Sequence, residues 1–281
     1  MDKIYFVPYN GPWCGDWFFE DLKRLSVYDW EKISLKDSSK LKNSLIVFWN
    51  YQNISHYKIL FLRKLKRYKE KHNMIIAGVR GSRTLEKYGR LLNMFDGLLS
   101  NYDIKNLNQY ADPFKIHYAP DGINSKKFYN LDINKPKDLV ITWIGRKNKK
   151  YKNYDMIPKM GYPYKVANGI PYGLMYKFYN SGNVYVLTSN SEGYGRGLVE
   201  SALCGSAIVT SNVGVAPLIV DPDYIINGNP SDKIEEYKEA LKHFEDPDLR
   251  SRIGQENRLR ALEFDINKII PMWDKVLRRY I

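Results

Sequence analysis

Apolar positions along this chain gather in short runs, separated by longer stretches of helical spacing. Lys3–Pro8, Ser44–Trp49, Asn73–Val79, Gly97–Ser100 and Lys115–Tyr118 have the length and the β-branched or aromatic character that predict strands. The intervals between them read as helices. Pro120-Asp121-Gly122 breaks the pattern, and Leu131–Asp138, with Pro136 and mixed charge, reads as a linker. A second alternating set follows: Leu139–Ile144, Tyr164–Ala167, Val184–Leu187, Ala207–Thr210 and Tyr224–Ile226. Such alternation predicts parallel sheets covered by helices, hence an α/β protein of two Rossmann-like halves, residues 1–133 and 134–262. Ligands are expected at the carboxyl ends of the strands and in a cleft between the halves. The tail from Ser231 is helical by period and restarts at Asp246-Pro247, and the helix in 263–281 is expected to pack back toward the N-terminal half.

The segment Ser189–Gly205, SNSEGYGRGLVESALCG, stands out within this pattern. An apolar run precedes it and a helical pattern starts at Gly197, so the chain reads strand, glycine-rich loop, helix N-terminus. Backbone N–H groups at Gly193, Tyr194 and Gly195 suit an anion, because glycine allows close approach and the helix dipole favours negative charge. Glu192 lies in the loop, and Glu200, with seven residues between, lies about two turns into the helix. Two carboxylates beside a phosphate site repel what the loop attracts. A nucleotide sugar resolves the conflict, since its hydroxyls donate to carboxylates while its diphosphate takes amides and cations. The alternative is a surface helix that begins with glycine and carries glutamate.

Composition and charge narrow the picture. The chain has 281 residues, 44% hydrophobic and 14% aromatic, which suffices for real cores, and no apolar run reaches the roughly 18 residues of a membrane span. Met1-Asp2-Lys3 leads directly into a strand, so a cytoplasmic protein is expected. Cys14 and Cys204 are far apart, and His56, His72, His117 and His243 are not spaced as ligand pairs, so neither a disulfide framework nor a metal site is expected. The net charge of +13 favours anionic partners. Much of it sits in His56–His72, a basic amphipathic helix of the type that lies peripherally on anionic membranes; a solvated basic face on a core helix is the other reading. A second basic cluster, Arg146–Lys152, falls in a loop.

Several of these pieces follow the order of one family. Ala119-Pro120-Asp121-Gly122-Ile123-Asn124 with Phe128, then Trp143-Ile144-Gly145-Arg146 with Lys152-Asn153-Tyr154-Asp155, then Ser189–Gly205, then Asp246-Pro247-Asp248-Leu249-Arg250 through Phe264 resemble motifs of the GT-B fold retaining glycosyltransferases of family four, glycosyl transferases group 1. The resemblance covers most of residues 115–281. It implies a retaining, metal-independent transfer of a hexosyl group from a nucleotide-diphosphate sugar, with no cofactor. It assigns Glu200 to the ribose hydroxyls and Glu192 to the donor sugar. Arg146 and Lys152, with Gly145 and the amides of Gly193, Tyr194 and Gly195, fall to the diphosphate; Lys149 and Lys150 stand as alternatives to Lys152.

The departures lie in the first half. The family's N-terminal glycine loop is only loosely matched by Gly11-Pro12-Trp13-Cys14-Gly15, where Gly15 would contact the donor. The place of the histidine that many members carry holds Gly78-Val79-Arg80-Gly81-Ser82, so Arg80 is a candidate donor or acceptor contact or else a salt-bridge residue. The acceptor stays open among lipid, glycan, protein and DNA, as does the oligomeric state. Two other classes compete: a basic nucleic-acid-binding protein, and a catalytically silent sugar- or nucleotide-binding protein of the same fold.

Overall fold

A computed structural model of the chain describes residues 3–8, 14–51, 58–80, 89–101, 107–131 and 135–281, with backbone alone at 14–15, 58–61 and 90. They form two compact units, Met1–Gly122 with Ile266–Ile281, and Ile123–Asp265. In the first, strands β1 (Lys3–Val7), β2 (Asp29–Lys32), β3 (Leu45–Phe48), β4 (Met74–Val79), β5 (Gly97–Ser100) and β6 (Ile116–Tyr118) form a sheet in the order β2-β1-β3-β4-β5-β6. Its helices are α1 (Cys14–Leu25), α2 (Leu35–Ser38), α3 (Lys58–Glu70) and the C-terminal helix Ile266–Leu277. In the second, β7 (Ile141–Trp143), β8 (Tyr164–Val166), β9 (Val184–Leu187), β10 (Ala207–Ser211) and β11 (Ile225–Ile226) form a sheet in the order β11-β10-β9-β7-β8. Around it lie α4 (Met175–Asn180), α5 (Arg196–Leu203), α6 (Ala216–Ile219), α7 (Ile234–His243) and α8 (Pro247–Ala261).

Every pairing in both sheets is parallel. Both also have the same order: the first strand of each unit lies between its second and third. The winding therefore reverses between β1 and β3 in one unit, and between β7 and β9 in the other. At such a reversal the flanking connections leave toward opposite faces, and a crevice opens at the carboxyl ends of the strands.

The inner strands are the apolar runs of the sequence. β3 and β9 are buried along their whole length, as a parallel strand covered on both faces requires. β2 was not foreseen, because DWEK buries only Trp30 and reads as polar; it is an edge strand paired to β1 alone. The C-terminal helix supplies Ile266, Ile269, Ile270, Trp273 and Leu277 to a core with Ile4, Phe6, Phe18, Trp49 and Leu99. It is thereby an integral part of the first unit.

Two expectations change. Residues 123–133, read with the first half, belong to the second unit, and so do 263–265. The proline-bearing linker is stapled to that unit: Asn183 Nδ2 donates to the carbonyls of Pro136 (2.9 Å) and Asp138 (2.8 Å), and Arg250 Nη2 to that of Lys137 (2.6 Å). Composition marked the stretch as a linker, but captured carbonyls fix it. As for the basic helix α3, Leu65 and Tyr68 are buried against Ile46, Phe48 and Ile75, while Arg63, Lys64, Lys66 and Arg67 are exposed. Its described apolar side is therefore occupied within the unit. No helix among the described residues is long and apolar enough to cross a membrane.

Candidate functional site

The glycine-rich segment forms as its composition suggests. Gly195 stands at φ +84 immediately before α5, a left-handed geometry in which an L side chain is strained. Gly195, as the N-cap residue, has no side chain with which to cap the first turn of α5. The loop is pinned from behind, since the Tyr194 carbonyl accepts from Val215 N at 2.9 Å. Tyr194 buries its ring edge-on to Phe264, so the loop can offer a ligand only the backbone of this residue.

The connection after β7 meets the residues that follow β9. Gly145 lies so close to Trp143 that a Cβ would sit 2.6 Å from the indole. Arg146 follows, exposed, and its carbonyl closes the turn to Lys149 N (3.0 Å). A short turn, Lys150–Lys152, ends at Asn153 with φ 48, which asparagine tolerates better than most residues. This turn is sewn to the residues just past β9. Thr188 Oγ1 donates to the Lys152 carbonyl (2.7 Å), Asn153 Nδ2 to the Thr188 carbonyl (2.7 Å) and to Asn190 Oδ1, and Asn190 N to the Tyr151 carbonyl (2.8 Å).

The result is a direct contact: Lys152 Nζ donates to Glu192 Oε1 at 2.5 Å, with the two side chains only 16% and 15% exposed. Lys149 and Lys150 are exposed on the same turn. Of the three lysines, Lys152 is therefore the one brought to a glutamate. The pair sits at the carboxyl ends of β7 and β9, where the sheet reverses.

Glu200 lies deeper, on α5, and is 5% exposed. Tyr172 OH donates to its Oε1 (3.2 Å), Tyr179 OH to its Oε2 (2.8 Å), and Arg196 Nε lies 3.4 Å from Oε1. Arg196 Nη2 in turn donates to Tyr172 OH at 2.8 Å. Burial, opposed by Arg196 and the two hydroxyls, raises the Glu200 carboxyl above the ordinary carboxylate range. Burial likewise pushes both phenols well up, so they remain donors. A carboxylate has about four acceptor positions. Tyr179 takes one of the two on Oε2, which leaves acceptor capacity there for a further hydroxyl.

Sequence reasoning missed Tyr172, Tyr179 and the stapling residues Asn153, Thr188 and Asn190. Arg196 could have been found, since it precedes Glu200 by four residues, the spacing at which helical side chains meet. Tyr172 and Tyr179 carry no local signal. Phe128, from the first of the family-like motifs, packs on both of their rings.

Arg80 belongs to the first unit: its Nη1 donates to Asp121 Oδ1 at 2.6 Å, its Nε donates to the Trp49 carbonyl at 3.2 Å, and its guanidinium lies 4.2 Å from the Trp49 ring centroid and 5.3 Å from that of Trp273. Gly15 is in the first turn of α1, and residues 11–13 and the surroundings of Gly15 lie outside the described residues. Cys204 is buried, and burial pushes its thiol up to about 12, which suits a packing role. Among the described residues, no cluster of His, Cys, Asp or Glu is arranged to hold a metal ion.

Comparisons with known proteins agree with this architecture. Residues 126–260, which lie within the second unit, match the family model described as glycosyl transferases group 1. No curated protein matches the chain in sequence. Among solved structures, it resembles sucrose-phosphate synthase from Thermosynechococcus elongatus (TM-score 0.79, 13% identity, 100% of this chain and 99% of that one). It also resembles Anabaena HepE in complex with UDP and glucose (0.78, 12%, 99% and 100%). A third similar structure is the pneumococcal O-GlcNAc transferase GtfA with UDP and GlcNAc (0.67, 14%, 87% and 58%). At these identities the likeness is one of fold, and the fold is that of the GT-B glycosyltransferases.

Proposed function

We propose that this protein is a glycosyltransferase that moves a hexosyl group from a nucleotide-diphosphate sugar to an acceptor with retained anomeric configuration and without a metal ion. The observation that carries the reading is the meeting of Lys152 and Glu192 at the reversal between β7 and β9, in front of buried Glu200 on α5. Cation, carboxylate and uncapped helix start are the groups a sugar diphosphate needs, placed where such folds bind ligands. In this reading Glu200 accepts the ribose hydroxyls, and Glu192 accepts hydroxyls of the donor sugar. Arg146 and Lys152, with Gly145 and the amides of Gly193, Tyr194 and Gly195, hold the diphosphate.

As the glycosidic bond breaks, negative charge grows on the departing phosphate oxygen, and the two cations stabilise it more than they stabilise the intact donor. The acceptor hydroxyl attacks on the face that the phosphate leaves. Its proton passes to that oxygen, which accounts for retention without a protein nucleophile. The complexes of HepE and GtfA with UDP and a sugar support the donor class.

The test is a screen of UDP-, GDP- and ADP-sugars against the purified chain, scored by release of free nucleotide and by heat of binding. One base is expected to bind and to release slowly by donor hydrolysis. If all three families fail to bind or turn over, the reading is wrong; salt-steep binding of oligonucleotides instead would favour a nucleic-acid partner.

A further inference from the structure

Lys152 and Glu192 are given opposite ends of the donor by the proposed function, the diphosphate and the sugar, yet in the structure they are bonded to each other. We infer that this pair weakens the hold on bare nucleotide diphosphate relative to nucleotide sugar, because only the sugar's hydroxyls compensate Glu192 for releasing Lys152. The inference rests on the proposed nucleotide-sugar reading of the site.

Three observations carry it. Both side chains are largely shielded from water, so their attraction is little screened. The backbone of Lys152 is held by the bonds of its turn to Thr188 and Asn190, so only its side chain can swing between Glu192 and a ligand. Among the described residues Lys152 is the only hydrogen-bonded partner of the Glu192 side chain, so a Glu192 displaced by phosphate has none.

A bare diphosphate brings more negative charge to a carboxylate and offers it no donor. A nucleotide sugar brings the same phosphates and also hydroxyls, which a carboxylate accepts. Glu192 can then turn from Lys152 to the sugar, and Lys152 is released to the phosphate. Once the sugar has been transferred, those hydroxyls are gone. Glu192 competes again for Lys152, and the spent nucleotide is loosened.

The experiment compares the dissociation constants of a nucleotide diphosphate and its glucose conjugate by calorimetry. It uses whichever of the UDP, GDP and ADP pairs the wild-type chain binds most tightly. Glu192→Gln removes the charge at constant shape, and should bind the bare diphosphate about tenfold more tightly, about 1.4 kcal/mol, with no gain for the conjugate. Glu192→Ala removes the same charge and should show the same gain, so the failure of one variant to fold leaves the other. Glu192→Asp keeps the charge and should retain the wild-type ratio. Unchanged or weaker binding of the diphosphate to the folded neutral variants overturns the inference, as does an equal gain in Glu192→Asp. If wild type binds none of the three nucleotides, the functional reading itself fails.

Discussion

The two units wind their sheets in the same order, yet they treat an ion pair in opposite ways. In the first unit, Arg80 beyond the end of β4 is locked to Asp121, lies over Trp49, and donates to backbone carbonyls. Its side chain is 7% exposed and that of Asp121 3%. In the second unit, Lys152 and Glu192 meet at the reversal point with one bond between them, about twice as exposed as the Arg80 side chain or more. Arg80 has many partners and therefore holds structure together. Lys152 and Glu192 have few, so each can trade the other for a ligand. The number of additional partners, more than the presence of charge, separates a structural pair from a candidate site.

Breaking the structural pair should have the largest effect. Arg80→Ala leaves Asp121 buried without its cation and should cost about 3–5 kcal/mol in denaturant unfolding of the first unit. Nucleotide affinity, measured on the folded fraction, should stay within twofold. A large loss of affinity at unchanged stability would instead make Arg80 a ligand contact.

Next comes the buried glutamate. Glu200→Ala should weaken binding of bare nucleotide and nucleotide sugar alike by about 2–3 kcal/mol, the range for hydrogen bonds to a charged group, whereas Glu192→Ala should weaken neither and should slow transfer from the nucleotide sugar. The pH dependence has a defined sign. Because the Glu200 carboxyl is raised in the folded state, nucleotide affinity should fall on acidification at a pH above the ordinary carboxylate range. Folding behaves oppositely: a raised folded value contributes stability that is present below the unfolded value and lost as pH rises through the folded one. Calorimetric titrations and thermal melts across that range should therefore move in opposite directions.

Tyr172→Phe is a smaller perturbation. It removes one donor to Glu200 and should weaken nucleotide binding by about 1 kcal/mol. Since that hydroxyl lowers the Glu200 value, the acid limb of the binding profile should shift upward in pH. The smallest effect belongs to the basic helix: replacing exposed Arg63 and Arg67 by glutamine should change stability by less than about 0.5 kcal/mol. Loss of vesicle binding in that double variant would sharpen the contrast between the units by giving the first one a surface role.

The inner strands were legible because burial on both faces makes them continuous apolar runs, as in LIVF and VYVL. β2 was not, since only one of its four residues is buried. In the candidate site, the two glutamates stood out as carboxylates in and behind a glycine-rich loop. The choice of Lys152 over Lys149 and Lys150 required the turn at Asn153, where the chain's direction depends on a single left-handed residue. Tyr172 and Tyr179 reach Glu200 from 28 and 21 residues away, through packing that no local pattern encodes.

The division of the chain bears on the order in which the protein can fold. The second unit is an insertion: Ile123 N bonds to the Phe264 carbonyl at 2.9 Å, so its two ends lie together. The first unit lacks Ile266, Ile269, Ile270, Trp273 and Leu277 until the chain beyond the second unit has been made. During synthesis the second unit is whole before the first. The sheet of the first unit, although made before the second unit, waits with part of its core unfilled until the helix that follows the second unit is made.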